Sequence, residues 1–501
     1  MQNVYDIIII GAGIVGAMIA RTLARYNLRI LWIEKASDIC TGATAANSAL
    51  IHAGHDAIPG SLKAEMNVKA NPMWDRLSEE LHFAFGRTGA YVVAIGADEY
   101  AKLEQLLERA QQNGVPAEII SGEEMRQRES QINPEVSGAL YVPSGAIVDP
   151  WGATIAAAEN AVMNGVELRL NTEFLDFIFA WTAGCSSEGE KRIIGITTNQ
   201  GEFYARWVIN AAGLFADEVM HKAGVRPDFR ITPRRGEYFV MDRNQVEIKN
   251  VLFPVPTVIS KGILVTTTLH GNTLVGPNAE NLDDKTDVDV TPAGMAEIWT
   301  GALKLVPGLK QRDVIAVFAG LRPGGNAPCA NPAVAYNHDF IIEIPVEVGG
   351  LVNLGGMESP ALTAAPAIGE RVVELLRGAG EALSEKGDWN PIRPGRPVFR
   401  HLSREEQAAL VAQDSRYGRI ICRCEYVTEG EIVAEIHAPI PATTYDAIKR
   451  RTWLGTGRCL GGFDMPRVVE ILARELGKDE LEISKKGAGS EFLYRHTKEA
   501  A

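Results

Sequence analysis

Residues Val4 to Lys35 read V-Y-D-I-I-I-I-G-A-G-I-V-G-A-M-I-A-R-T-L-A-R-Y-N-L-R-I-L-W-I-E-K. The apolar run Ile7 to Ile10 predicts a buried strand. It leads into Gly11-x-Gly13-x-x-Gly16, then a helical pattern (Val15, Ile19, Leu23), then a second apolar run, Ile30 to Ile33, closed by Glu34. Strand, glycine turn, helix and strand in this order form a unit that binds a dinucleotide. Gly11 permits the tight turn, Gly13 lets backbone approach a pyrophosphate, and Gly16 lets helix pack on strand. The helix N-terminus offers N–H groups to phosphate. Glu34 stands where a carboxylate accepts from a ribose diol. The unit by itself leaves NAD and FAD both open.

The chain has 501 residues, 46% of them hydrophobic and 23% charged, with net charge −13. That length allows two or three domains. The acidic balance argues against a nucleic-acid partner and against adhesion to anionic membranes. No apolar run approaches a membrane span. The N-terminal apolar stretch is broken by glycines and ends in Glu34-Lys35, unlike a signal peptide. The expectation is a cytoplasmic protein, with peripheral membrane attachment through a partner left open. Cys40, Cys185 and Cys329 are scattered, whereas Cys422, Cys424 and Cys459 cluster. In a large cytosolic chain such a cluster suggests metal or redox work rather than disulfides.

Further along, Leu62 to Leu81 reads as helix, as do Asp98 to Asn113 and Pro150 to Asn164. Val166 to Leu170 and Trp207 to Asn210 read as strands. Residues 230 to 345 are rich in strand and turn signals. Leu351 onward returns to a strand and a helix from Pro366 to Arg377. The pattern predicts an α/β fold: a Rossmann-like nucleotide domain (about 1–80, 145–220 and 350–380) with an inserted antiparallel β-sheet substrate domain (about 81–144 and 221–349). The Gly- and Pro-rich stretch 381–400 reads as a linker. A small helical module (401–480) and a polar tail (481–501) complete the chain.

The chain contains N-S-A-L-I-H-A-G (Asn47 to Gly54), L-K-A (Leu62 to Ala64), V-I-N-A-A-G-L-F-A-D (Val208 to Asp217), G-P-N-A (Gly276 to Ala279), G-L-R-P (Gly320 to Pro323) and G-G-M-E-S-P-A-L-T-A-A-P-A-I (Gly355 to Ile368). Through these motifs residues 1–380 resemble FAD-dependent oxidoreductases of the D-amino-acid-oxidase type, in the glycerol-3-phosphate dehydrogenase and L-2-hydroxyglutarate oxidase branch. It implies FAD and hydride abstraction from an alcohol or amine carbon. The expected cofactor contacts are Gly11, Gly13, Gly16, Glu34, Lys35, Thr44, Asn47, Ser48, Ala211, Ala212, Gly213, Gly355, Gly356, Met357, Glu358, Leu362 and Thr363. Ala49 replaces a glycine usual in this family's N-S-G motif.

Oxidation of an alcohol needs a base for the hydroxyl proton and a cation for an anionic tail. His52 and His55 are the base candidates, with His52 preferred for its place in the motif. Arg322 is the expected anchor, with Arg234, Arg235 and Lys261 secondary, and Tyr238 lines the cavity or belongs to the sheet core. The resemblance implies a small anionic substrate. Glycerol 3-phosphate stands first and L-2-hydroxyglutarate or another 2-hydroxy acid second. An amine or amino-acid oxidase, or a non-catalytic electron-transfer subunit, is an alternative of another class. Electrons then go to a protein or quinone acceptor.

Residues Ile421 to Ile432 and Lys449 to Asp464 resemble the bacterioferritin-associated-ferredoxin-like [2Fe–2S] domain. Cys422, Cys424 and Cys459 fill three ligand positions, and Asp464 stands in the fourth. Four thiolates are usual for this cluster, so the readings are a cluster completed by Asp464, a cluster with another ligand or a labile one, a module without a cluster, or zinc.

Overall fold

The computed structural model describes residues 4–182, 190–226, 228–243, 245–256, 262–326 and 338–495. Cys185, Lys261 and Cys329 lie outside them. Strand Val4–Ile10 is the inner strand of an eight-stranded mixed sheet. Its isoleucines are buried on both faces, as a run without polar alternation requires of an inner parallel strand. Ile30–Ile33 lies parallel on one side and Gly201–Asn210 parallel on the other. Glu167–Arg169 and Leu351–Gly355 extend the parallel set outward. Phe174–Thr182, Glu190–Thr198 and Ile341–Glu343 add antiparallel edges. Helices Ile14–Leu23, Pro150–Met163 and Ala361–Gly378 share one core beneath this sheet.

Two helices differ from expectation. The stretch 62–81 is two helices, Leu62–Ala70 and Met73–Leu81, because Pro72 has no N–H to continue the ladder. The last helix of this part opens at Ala361, with Pro366 inside it rather than at its start.

A second sheet of nine strands faces the first across the site. Its long strands, Ile231–Met241 and Val314–Gly325, run antiparallel with Arg234 opposite Arg322. The sheet was expected to be antiparallel throughout. Ala90–Ile95 and Val251–Pro254 nevertheless pair parallel, since the long connection between them sets no hairpin geometry.

At the C-terminus, helices Glu429–Ile436, Tyr445–Thr452 and Met465–Leu476 enclose a separate core around Ile432, Ile448 and Leu472. The Gly- and Pro-rich stretch before them is strapped down. Arg393 Nε meets Glu159 Oε2 at 2.6 Å, and Arg396 joins Glu159 (2.8 Å) to Glu435 (2.9 Å). Asp38, buried in the nucleotide part, is held by Arg450 at 2.6 Å and Arg451 at 2.9 Å. Among the described residues no helix is long and apolar enough to cross a membrane.

His270 lies where the C-terminal module meets the second sheet. Its ring centroid is 4.0 Å from that of Trp453, and its Nδ1 accepts from Arg400 Nη2 at 2.8 Å. Burial first, then the Arg400 and Arg243 charges, pushes its pKa down to about 3. The folded chain thus holds this imidazole neutral, while the unfolded chain binds a proton below its ordinary pKa of about 6.5. Stability from this group is full above that pH and is lost as pH falls, by ~2 kcal/mol at pH 5. We expect the fall in Tm between pH 8 and pH 5 to be smaller in His270→Asn than in the wild type. Equal falls would contradict this.

Candidate active site

A cavity of about 890 Å³ runs from the glycine turn to the second sheet, at the large end of the range for ligand sites. Gly11, Gly13, Glu34 and Lys35 line one end, and Ser48, His52, Arg234, Tyr238 and Arg322 line the other.

At the first end, Gly11 adopts φ +100° and its peptide N–H bonds to Ile33 O at 2.9 Å. A Cβ on Gly13 would come within 3.1 Å of Thr44 Oγ1. The N–H of Ile14, expected to await phosphate, donates to Thr44 Oγ1 at 3.1 Å, so the hydroxyl caps this helix. Glu34 Oε2 accepts from Ala12 N at 2.8 Å and Oε1 from Ala36 N at 2.9 Å. Burial raises the Glu34 pKa, and those two backbone bonds oppose it. The carboxylate is thereby fixed in orientation, with a second lone pair on each oxygen left for a diol. Lys35 Nζ sits 3.5 Å from the Phe215 ring centroid. Gly16 does not line the cavity; it lets the helix close on Gly11. These residues fit a dinucleotide.

The wall between the two ends is a folded loop. Asn47 donates to Thr44 O and accepts from Ala49 N, both at 2.8 Å. Ala49 has φ +58°, which is why a glycine suits this position and why alanine carries strain of order 1–2 kcal/mol. Ala211, Ala212, Gly213, Met357, Glu358 and Leu362 line the cavity as expected. Gly355, Gly356 and Thr363 are not among its lining residues. Gly355 ends a strand, Gly356 backs onto Asp339 O, and Thr363 Oγ1 accepts from the His52 peptide N–H at 2.9 Å. They support the wall from behind.

At the far end the two histidines separate. His52 lines the cavity with Nε2 at 3.3 Å from Ser359 Oγ. His55 is buried and is not among the residues that line the cavity. The arginine pair separates too, because successive strand residues point to opposite faces. Arg234 lines the cavity. Arg235 instead pairs with Glu280 at 2.6 Å and Asp287 at 3.1 Å, and is structural.

Arg322 is held from behind. Its Nη2 donates to Arg235 O (3.1 Å) and Asn278 O (2.9 Å), and its Nε to Arg234 O (3.3 Å). Burial lowers its pKa, and Tyr238 nearby counters that. Tyr238 OH lies 3.0 Å from Ser48 Oγ, and its ring stacks on Phe318 at 4.6 Å. Lys63 was not singled out from sequence, although its L-K-A motif was. It meets Glu358 Oε1 at 2.8 Å. Burial would raise the Glu358 pKa, but Lys63, Arg322 and Arg234 outweigh it and hold the carboxyl below its ordinary range.

In the C-terminal module the predicted ligands meet in pairs. The Cys422 thiol lies beside the Asp464 carboxyl, and the Cys424 thiol beside that of Cys459. The module also reaches the cavity wall. Trp453 stacks on Trp151 with ring centroids 4.4 Å apart, and Trp151 Nε1 donates to Ala45 O at 2.9 Å. Ala45 precedes the lining residue Ala46.

Residues 6–375 match the FAD dependent oxidoreductase family, and residues 420–474 match the BFD-like [2Fe-2S] binding domain. The chain belongs to the FAD-dependent oxidoreductases, and its cofactor is FAD. It is 44% identical over 498 residues to a glycerol 3-phosphate dehydrogenase of Caloramator mitchellensis, covering 99% of both chains. It is 32% identical over 281 residues to an L-2-hydroxyglutarate dehydrogenase of Escherichia coli K12, covering 55% of this chain and 64% of that one. Among solved structures it is similar to the dithionite-reduced, FAD-bound L-alpha-glycerophosphate oxidase of Mycoplasma pneumoniae. There the TM-score is 0.70 at 31% identity, over 79% of this chain and 99% of the other.

Proposed function

We propose that this protein oxidises glycerol 3-phosphate at C2 to dihydroxyacetone phosphate. FAD, when bound, accepts the hydride from C2. The observation that carries the reading is the set of charges around Arg322. Lys63, Arg234 and Arg322 face a single ionised carboxylate, Glu358. Their net charge of about +2 suits a phosphate monoester dianion, which carries −1.5 to −2 at pH 7. The similarity to glycerol 3-phosphate dehydrogenase over the full chain supports the same substrate.

Arg322 enters preorganised: three backbone carbonyls fix two of its nitrogens and leave Nη1 for the phosphate. His52 takes the C2 hydroxyl proton at Nε2, the nitrogen beside Ser359 Oγ. Its backbone is held by Thr363 Oγ1, which accepts from the peptide N–H, and by Asn71 Nδ2, which donates to His52 O at 3.0 Å. A protein or quinone acceptor would take the electrons, and the Trp151–Trp453 contact joins the C-terminal module to the cavity wall.

With an artificial electron acceptor, kcat/KM for glycerol 3-phosphate is expected to exceed that for L-2-hydroxyglutarate and for glycine by about 10²-fold or more, on the scale set by one missing charged contact. A preference for the hydroxy acid or the amine would overturn the substrate assignment. His52→Asn should lower kcat by about 10²–10⁴-fold while FAD stays bound. Unchanged turnover in that variant would remove His52 from its role as base.

A further inference from the structure

The loop from Leu454 to Asp464 has the sequence L-G-T-G-R-C-L-G-G-F-D. It lies over the hairpin that carries Cys422 and Cys424. Its glycines leave room where side chains would intrude: a Cβ on Gly457 would come 2.4 Å from Cys424 Cβ. The backbone N–H groups of Gly455 and Glu425 lie near the Cys422 sulfur, and that of Cys459 near the Cys424 sulfur. The segment therefore fits the cluster its family binds, apart from the residue in the fourth position.

Asp464 has no structural occupation that explains it. It stands at the N-cap of helix Met465–Leu476, where aspartate usually accepts backbone N–H bonds, yet its side chain makes none. It is 1% exposed. Its Oδ1 accepts from Tyr445 OH at 2.7 Å, and its Oδ2 has no hydrogen-bond partner. Among the described residues no Lys, Arg or His forms an ion pair with it.

Among the described residues, no three His, Cys, Asp or Glu side chains are grouped to hold one metal ion. The four candidates meet two and two: Cys422 with Asp464, and Cys424 with Cys459. Two protein ligands at each of two metal ions is what a dinuclear cluster requires.

We propose that Asp464 is a ligand of a [2Fe–2S] cluster. Its Oδ2 shares one iron with Cys422, Cys424 and Cys459 hold the other iron, and Tyr445 positions the carboxylate through Oδ1. Both a carboxylate and a thiolate carry one negative charge, so the exchange of Asp for Cys keeps the charge of the ligand set. It makes one iron harder and leaves the other with two thiolates. The assignment does not depend on which alcohol the flavin site oxidises.

The test uses the full chain, purified with FAD and reconstituted anaerobically with ferrous iron and sulfide. Iron and acid-labile sulfide should each reach about two per chain. Mössbauer spectra of the oxidised wild type should show two unlike ferric doublets of equal area. In Asp464→Cys the doublets should become alike, and the thiolate-to-iron absorption should intensify and move to longer wavelength. Asp464→Ala should lose most of its iron while keeping FAD, and FAD retention shows that the chain still folds. Tyr445→Phe should retain iron with an altered doublet for the oxygen-ligated site only. Wild-type doublets that are already alike, Asp464→Ala spectra equal to the wild type, or uptake of zinc in place of iron would each overturn the assignment.

Discussion

Arg322→Met lowers kcat/KM for glycerol 3-phosphate by about 10³-fold, the equivalent of ~4 kcal/mol, while FAD remains bound. The size follows from burial. Arg322 sits in the wall of a cavity, and its fork is fixed by the carbonyls of Arg234, Arg235 and Asn278. No water can take over its contact with the phosphate at low cost. Arg322→Lys keeps the charge but loses the planar fork, so it should recover only part of the loss, mostly in KM. Glycerol, which lacks the phosphate, should be oxidised equally poorly by the wild type and both variants. Steady-state kinetics on the three proteins check this. Wild-type kcat/KM in Arg322→Met would place the anionic tail elsewhere.

Gly16→Ala abolishes FAD retention. A Cβ there would fall 2.1 Å from Gly11 O, far inside contact distance. The obstacle is backbone, so no side chain can swing away. Helix Ile14–Leu23 must slide outward, and the turn that meets the pyrophosphate moves with it. Trp32 Nε1, which donates to Gly11 O at 2.9 Å, pins the same carbonyl from the other side. The purified variant should be colourless, with FAD occupancy reduced at least about 20-fold by a clash worth ~2 kcal/mol or more. Gly13→Ala should behave more mildly in the empty protein, since its Cβ would meet only Thr44 Oγ1 at 3.1 Å. Its defect belongs to the bound cofactor. The absorbance ratio of flavin to protein measures both. A yellow Gly16→Ala protein with full occupancy would contradict the packing argument.

The nucleotide fingerprint was legible in sequence because everything it needs is local. Strand, turn, helix and acid lie within Val4 to Lys35, and each glycine answers a close contact that the structure displays. Much of the cavity wall was legible for a different reason. Short motifs such as Asn47 to Gly54 and Gly355 to Ile368 supply residues that line the cavity.

What sequence left open turned on direction and on distant pairing. His52 and His55 lie three residues apart, and only the fold turns one into the cavity and buries the other. Arg234 and Arg235 are neighbours whose roles follow from the two faces of a strand. The parallel pair Ala90–Ile95 and Val251–Pro254 joins segments too far apart for any local signal. The ionic straps Asp38–Arg451 and Glu159–Arg396 likewise join residues that no pattern connects. Composition marked 381–400 as lacking regular structure and was silent on its anchorage. Asp464 could be read only as a departure from a cysteine. Its burial and its unpartnered Oδ2 became visible in three dimensions.

The cavity beside the Gly11–Gly16 turn is proposed to oxidise glycerol 3-phosphate with bound FAD. Anaerobic titration of the FAD-loaded full chain with glycerol 3-phosphate tests it most directly. The oxidised-flavin absorbance should bleach, and dihydroxyacetone phosphate should form in proportion to the electrons taken up. An oxidised-flavin spectrum that saturating glycerol 3-phosphate leaves unchanged would contradict it.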